Sequence, residues 1–167
     1  MFTLNEFGKP EVANPEAADL PGRLRFNLSH TNGLALLAVC LDADLGIDVE
    51  AVRTISDLEL IAQSHFSPRE VAALNAVGHA GKQRAFFRCW TRKEAFLKAH
   101  GRGLSIPLDS FAVSLEEEEW PALLECPWDP EEVGGWSLFS FELKDFIGAL
   151  AIRSGDWRVL WIDEENK

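Results

Sequence analysis

Polar and apolar positions along this chain of 167 residues follow two periods, and the change from one to the other divides it. Residues 25–28 form a short strand that Ser29-His30-Thr31-Asn32-Gly33 breaks. The run Leu34-Ala35-Leu36-Leu37-Ala38-Val39-Cys40-Leu41 has the length and flanks of a buried strand, although periodicity alone fits a helix equally. Asp42-Ala43-Asp44 reads as a turn, with Leu45 to Glu50 following as the antiparallel neighbour of that run. Side chains of a strand alternate between faces. Leu45, Ile47 and Val49 therefore share one side, and Gly46, Asp48 and Glu50 the other. Two carboxylates on one face repel each other, so the pair calls for a positive neighbour or for water.

Beyond residue 50 the period becomes helical. Ser56-Asp57-Leu58-Glu59 and Ser67-Pro68-Arg69-Glu70 both match the capping box, and the second has proline at the first helical position. Helices are expected over about 57–64 and 68–76. Gly78 and Gly81 punctuate, and a long helix runs from about Lys82 to His100, stopped by Gly101 and Gly103. Strands are expected at 110–115, 136–143, 146–152 and 157–162, whereas the segment Met1 to Gly22 reads as loop. Helices flanked by antiparallel hairpins indicate an α+β fold, an antiparallel sheet packed on a long helix.

Composition adds bounds. The longest apolar run, Gly33 to Leu41, is far too short to span a bilayer, and Asn5, Glu6 and Lys9 soon after Met1 give no sign of a signal peptide. Three cysteines without a Cys-x-x-Cys pair fit a reducing cytoplasm, with Cys40 and Cys89 as core fillers. The net charge of −11 argues against non-specific nucleic-acid binding. It is unevenly spread, however. Residues 81–102 hold seven of the 16 lysines and arginines and a single acid, Glu94, whereas 116–132 hold eight acids and no base. The acidic segment reads as a solvated loop. On the basic one, Arg84, Arg88 and Arg92 either steer an anionic partner or form an ordinary solvent face.

The long helix carries the candidate chemistry. Phe87, Trp90, Glu94 and Leu97 follow the spacing of one stripe, which puts Glu94 on or beside the core face. Lys98 lies one turn further and suits either an i,i+4 surface ion pair or a site. Taken with Asp48 and Glu50, Glu94 makes an oxygen-rich set of the kind that holds Mg²⁺ together with phosphate oxygens. That chemistry suggests a metal-dependent phosphoryl-type transfer.

The motifs together go further. Gly46-Ile47-Asp48-Val49-Glu50, Phe66-Ser67-Pro68-Arg69-Glu70 and the segment Trp90 to Leu104 (WTRKEAFLKAHGRGL) occur in this order, after Phe7-Gly8-Lys9-Pro10 and Phe26 to Thr31 (FNLSHT). In these five motifs the chain resembles the 4′-phosphopantetheinyl transferases, specifically their larger two-lobed, Sfp-like type. The resemblance covers residues 7 to about 111. It implies transfer of the 4′-phosphopantetheine arm of coenzyme A to a serine of an acyl or peptidyl carrier protein, releasing adenosine 3′,5′-bisphosphate. It also implies that Asp48, Glu50 and Glu94 hold Mg²⁺, with Mn²⁺ as the alternative. Glu94 would take the serine proton, and Lys98 would neutralise the departing bisphosphate. Ser29 and His30 would grip coenzyme phosphates, Lys93 would contact the same region, and Gly8-Lys9-Pro10 would line the adenine end. Gly46 would leave its face open to the pyrophosphate.

Members of this type carry a substantial half-lobe ahead of the Gly-Lys-Pro loop, whereas only Met1 to Phe7 precede it here. The expectation is therefore a first lobe reduced to residues 1–50 and a second lobe over 51–167. Strands 25–28, 34–41 and 45–50 would expose apolar surface, to be covered by another chain or a second copy. Two other functions fit the same residues. One is a non-catalytic module that binds carrier protein or coenzyme A; the other is a Mg²⁺-dependent phosphohydrolase using water in place of the serine.

Overall fold

A computed structural model describes residues 1–13, 20–116 and 120–162, apart from the side chain of Leu104. Its central element is the long helix α3 (His79–His100), which starts after Gly78 and ends at Gly101 in the left-handed conformation. Gly81 lies inside this helix rather than punctuating it. Two short helices precede it, α1 (Leu58–His65) and α2 (Pro68–Ala76). The capping box at Ser67 and Glu70 forms as expected, whereas the one expected at Ser56 does not: Asp57 is the N-cap and makes no side-chain cap bond. Glu59 instead pairs with Lys82 at 2.7 Å.

Nine strands follow in chain order among the described residues: β1 (Phe2–Leu4), β2 (Pro10–Val12), β3 (Leu24–Thr31), β4 (Leu34–Leu41), β5 (Leu45–Ala51), β6 (Ala112–Val113), β7 (Leu123–Glu125), β8 (Trp136–Leu143) and β9 (Phe146–Arg153). They form three hairpins (β1–β2, β3–β4, β6–β7) and one three-stranded antiparallel sheet of order β5-β9-β8. This is the expected α+β architecture, with α3 packed across β5 and β9.

The sheet face toward α3 explains the close packing. Cross-strand rows on this face are Gly46–Ala151–Leu138, Asp48–Ala149–Ser140 and Glu50–Ile147–Glu142. Glycine and alanine fill the middle, so the helix lies close, and polar residues stand on both rims. On the β8 rim, Arg84 and Arg88 bind Glu142, and Arg92 donates to Ser140 Oγ at 2.8 Å and Ser114 O at 2.6 Å. Arg88 and Arg92 are buried. Arg88 and Arg92 therefore clamp the helix to the sheet and form neither a steering surface nor a solvent face, whereas Arg84 binds Glu142 from a partly exposed position. On a further side of α3, Lys93 is fully buried and paired with Glu70 of α2. Its three N–H donors go to Glu70 Oε1, Glu70 Oε2 and Phe111 O, at 2.6–2.7 Å. Glu70 also accepts from the N–H groups of Ser67 and Val113, so the pair is fully satisfied. Cys89 fills the core as expected, and all three cysteines are free.

Several expectations are corrected. The segment read as loop contains the hairpin β1–β2, while 14–19 lie outside the described residues. Strand β3 does not stop at Leu28 but continues through Ser29, His30 and Thr31, because these residues pair with Leu36, Ala35 and Leu34. β4 is not buried on both faces: Ala38 and Cys40 face inward, whereas Leu37 and Val39 are 62% and 53% exposed. β5 pairs with β9 and not with β4. The strand expected over 110–115 is reduced to Ala112–Val113. The acidic segment contains β7, and its residues 117–119 lie outside the described ones. Residues 157–162 form no strand; Trp157 Nε1 donates to Arg153 O at 2.7 Å, and Trp161 meets Phe141 edge-on. Aromatic side chains, rather than a ladder, anchor that tail.

Breaking a buried ion pair leaves an uncompensated charge, at a cost of about 3–5 kcal/mol. Lys93→Met is expected to lose that much in urea unfolding, and Arg69→Ala, whose pair with Glu125 is exposed, under about 1 kcal/mol. Equal losses would contradict the assignment. His100 offers a pH test, since burial pushes its pKa below the usual histidine value. An unfolded chain then binds more protons, so stability falls as pH drops from about 7 through 6.5 toward the folded-state pKa. Thermal melts of His100→Gln are expected to show a shallower decline over that window.

Candidate active site

Gly46 sets the geometry. A Cβ there would stand 2.3 Å from both Ala95 O and Ala99 N, so only glycine lets β5 touch the α3 backbone. The open face expected at Gly46 is thus occupied by the helix itself. With that contact made, Asp48 and Glu50 stand beside Glu94 and Lys98, two and three turns along the face the sequence stripe predicts. The charge expected between the carboxylates is here an ammonium. Lys98 Nζ donates to Asp48 Oδ1 at 2.7 Å, and also to Ser29 Oγ and Ile47 O at 3.2 Å. Lys98 thus binds Asp48 rather than forming an i,i+4 pair with Glu94.

Asp48 Oδ1 also accepts from Ser29 Oγ at 3.0 Å, but its Oδ2 is buried without a partner among the described residues. Glu94 has no hydrogen bond or ion pair among the described residues. Burial, and next the charge of Asp48, push the Glu94 pKa up. Glu50 is raised by the same two causes, although Arg53 approaches it at 3.5 Å. The three carboxylates therefore sense each other's charge. They are not gathered into a closed ligand set, and no ready-made cluster of three acidic, histidine or cysteine side chains occurs among the described residues. An orphaned buried oxygen, an unpaired carboxylate and mutual repulsion are nonetheless a donor set that suits a hard divalent cation.

A cleft of about 260 Å³ opens beside Glu94 and Lys98, at the lower end of small-molecule sites. The Phe7-Gly8-Lys9-Pro10 loop lines one side, and Leu97, Gly101 and Gly103 another. Lys9 holds this loop in place: its Nζ donates to Leu45 O at 2.9 Å and Ala99 O at 3.1 Å, tying β5 to the last turn of α3. Burial accordingly lowers its pKa. Asn5 completes the anchor, with its Oδ1 accepting from the N–H groups of Phe7 and Lys9 and its Nδ2 donating to Gly101 O.

Of the expected site residues, Lys9, Pro10, Glu94 and Lys98 line the cleft. Asp48 and Ser29 reach it through Lys98, and Glu50 stands at the rim of the same face. Lys93 does not take part, being buried against Glu70. Ser29 and His30 cannot act side by side, since alternation along β3 buries Ser29 against β5 and leaves His30 exposed on the opposite face. Asn27 was missed. It is buried, lines the cleft and accepts from Ile47 N at 2.8 Å. Its signal was the alternation Asn27-Ser29-Thr31, legible only once β3 extends to residue 31.

The antiparallel sheet on a long helix is a fold shared with holo-(acyl-carrier-protein) synthases. The Bacillus anthracis enzyme, solved in complex with coenzyme A (3′,5′-ADP), superposes with a TM-score of 0.53 at 17% identity, over 66% of this chain and 94% of that one. The Neisseria meningitidis synthase gives 0.51 at 20% identity, over 67% and 98%. A profile of the 4′-phosphopantetheinyl transferase superfamily matches residues 44–151, and the chain belongs to that superfamily. The 4′-phosphopantetheinyl transferase HetI of Nostoc sp. is 39% identical over 94% of this chain and 62% of its own length. For Sfp of Bacillus subtilis the values are 38%, 70% and 48%. The chain thus spans 62% and 48% of the length of these two relatives.

Because the Gly46 contact is backbone to backbone, Gly46→Ala is expected to destabilise by about 3 kcal/mol, the upper end of overpacking. Gly134→Ala, whose Cβ would meet nothing within 4 Å, should melt like the wild type. Coincident melts of all three would show that β5 does not rest on α3.

Proposed function

We propose that this protein transfers the 4′-phosphopantetheine arm of coenzyme A to a serine hydroxyl of an acyl or peptidyl carrier protein. The observation that carries this reading is the unpaired Glu94 carboxylate in the cleft, one helical turn from Lys98. Superfamily membership supports the reaction class, and the synthase solved with coenzyme A supports the co-substrate.

In this reaction the serine Oγ attacks the pyrophosphate phosphorus that bears the pantetheine arm. A new O–P bond forms as the bond to the bridging oxygen breaks, and adenosine 3′,5′-bisphosphate leaves. Glu94 takes the serine proton, standing in the cleft with no hydrogen bond or ion pair of its own among the described residues. Lys98 supplies positive charge to the departing bisphosphate, held ready by Asp48 and the Ile47 carbonyl. Lys9 and Pro10 shape the wall against which the nucleotide lies. Asp48, Glu50 and Glu94 would hold Mg²⁺ or Mn²⁺, which when bound withdraws charge from the pyrophosphate. Positioning and electrostatics carry most of phosphoryl transfer, so the rigid β5–α3 contact is the main contribution of the fold.

The outer face of β3–β4, with Leu28, Leu37 and Val39 beside Phe2 and Leu4, is apolar and exposed. Such a face favours cover by a partner chain or a second copy. It also favours the second reading, a module that binds carrier protein or coenzyme A without turnover. Three cysteines without a Cys-x-x-Cys pair fit the cytoplasmic setting proposed here, and among the described residues no helix is long and apolar enough to cross a membrane.

Incubating the protein with coenzyme A, Mg²⁺ and an apo carrier protein is expected to add the phosphopantetheine mass to the carrier. Glu94→Gln should lower kcat by about 10²–10⁴, the range for a lost general base, and Asp48→Asn should also impair transfer. Bound coenzyme A without transfer to any of several carriers would establish the binding module. Bisphosphate release without a carrier would establish the hydrolase.

A further inference from the structure

Strand β5 is the terminal strand of its sheet, yet its free edge is not open. One edge pairs with β9. On the other, the N–H groups of Ile47, Val49 and Ala51 donate to Asn27 Oδ1 at 2.8 Å, Ser29 Oγ at 3.3 Å and Thr31 Oγ1 at 3.4 Å. Carbonyls on the same edge accept from lysines, Leu45 O from Lys9 and Ile47 O from Lys98. Residues 27, 29 and 31 match 47, 49 and 51 step for step, since both strands repeat every two residues. A run of side chains replaces the backbone ladder that a neighbouring strand would form.

We infer that Asn27 and Thr31 are positioning residues, which fix the two ends of the carboxylate-bearing stretch of β5 so that Asp48 and Glu50 face Glu94 and a divalent cation. This rests on the transferase reading above. The placement is specific. Asn27 holds Ile47, the neighbour of Asp48, and Thr31 holds Ala51, the neighbour of Glu50. Neither side chain bonds a carboxylate. Ser29, between them, bonds both the strand and Asp48, so its variants would mix two effects.

Side-chain caps achieve something a backbone ladder does not. Direct pairing would bring β3 to about 4.8 Å from β5. Bridging through an amide and two hydroxyls holds the hairpin β3–β4 further off and leaves Asn27 lining the cleft. The caps at Asn27 and Thr31 are also uncharged, so they satisfy backbone donors without neutralising Asp48 or Glu50. Asp48 Oδ2 has no partner among the described residues. The strand is fixed while one oxygen of Asp48 remains available, the other being held by Lys98 and Ser29.

The test uses the full chain and has a structural and a metal-binding arm. Amide exchange followed by NMR should show Ile47, Val49 and Ala51 protected in the wild type, with Ala51 losing protection in Thr31→Val and Ile47 in Asn27→Ala. Mn²⁺ alone, titrated by its EPR signal, should bind about tenfold more weakly to either variant, the low end for residues that orient metal ligands. Thr31→Ser, which keeps the hydroxyl, should restore both protection and affinity. In turnover Thr31→Val, at a residue that does not line the cleft, should lower kcat while KM for coenzyme A stays within about twofold, the pattern of lost transition-state alignment. Thr31→Val is nearly isosteric at the strand end, so it decides the matter if Asn27→Ala does not fold. Unchanged Mn²⁺ affinity in a variant whose amide has lost protection would overturn the positioning role alone, with transfer by the wild type intact. A wild type that binds no Mn²⁺ and transfers no arm would overturn the transferase reading and this role together.

Discussion

The contact of β5 with α3 at Gly46 is the constraint on which the rest depends. Two backbones meet there with no space for a methyl group, and Ala149 and Ala151 extend the low surface across β9. A helix resting on that surface brings its side chains onto the polar rims at either side of the sheet. On the β5 rim this couples Lys98 to Asp48 and sets Glu94 alongside; on the β8 rim it couples the arginines to Ser140 and Glu142. The site is thus a product of packing, because a larger residue at position 46 would separate the groups before any of them was changed.

Charge is distributed by the same logic. The protein carries a net −11, yet the cations of α3 are committed to internal partners: Lys93 to Glu70, Arg84 and Arg88 to Glu142, Lys98 to Asp48. Ionic strength has little purchase on the buried members of this set. Among the described residues Glu94 is left without a hydrogen-bond or ion-pair partner at the point where the cleft opens. A carboxylate kept from its neighbours and partly dehydrated is a candidate base and ligand, and its repulsion with Asp48 and Glu50 is what a bound cation would relieve.

Much of the fold was legible in the chain. The helices lie within a few residues of their expected spans, because capping residues, glycines and the 3.6-residue period are local signals. β8 and β9 were equally plain. The failures have physical causes. Ser29-His30-Thr31 looked like a strand break because polar residues dominate it; in fact the polar side is the working side, turned toward the β5 edge. β4 looked buried because it is apolar on both faces, whereas one face is exposed. The tail 157–162 has strand composition, but its tryptophans pack as single rings instead of pairing in a ladder.

By itself the sequence determined the three helices and strands β8 and β9 in their order, the face shared by Asp48 and Glu50, and the stripe that turns Glu94 toward the core. It also carried the motifs of the superfamily. Tertiary structure alone decided the partners: β5 with β9, Lys98 with Asp48, Lys93 with Glu70, and Asn27, Ser29 and Thr31 with the free edge of β5. The reason is that a period of 2 or 3.6 residues fixes which side chains share a face, but not what lies opposite that face. Contacts between residues about fifty positions apart, such as Lys98 and Asp48, arise only when two elements pack at one depth and angle. Here the missing side chain of Gly46 sets that depth.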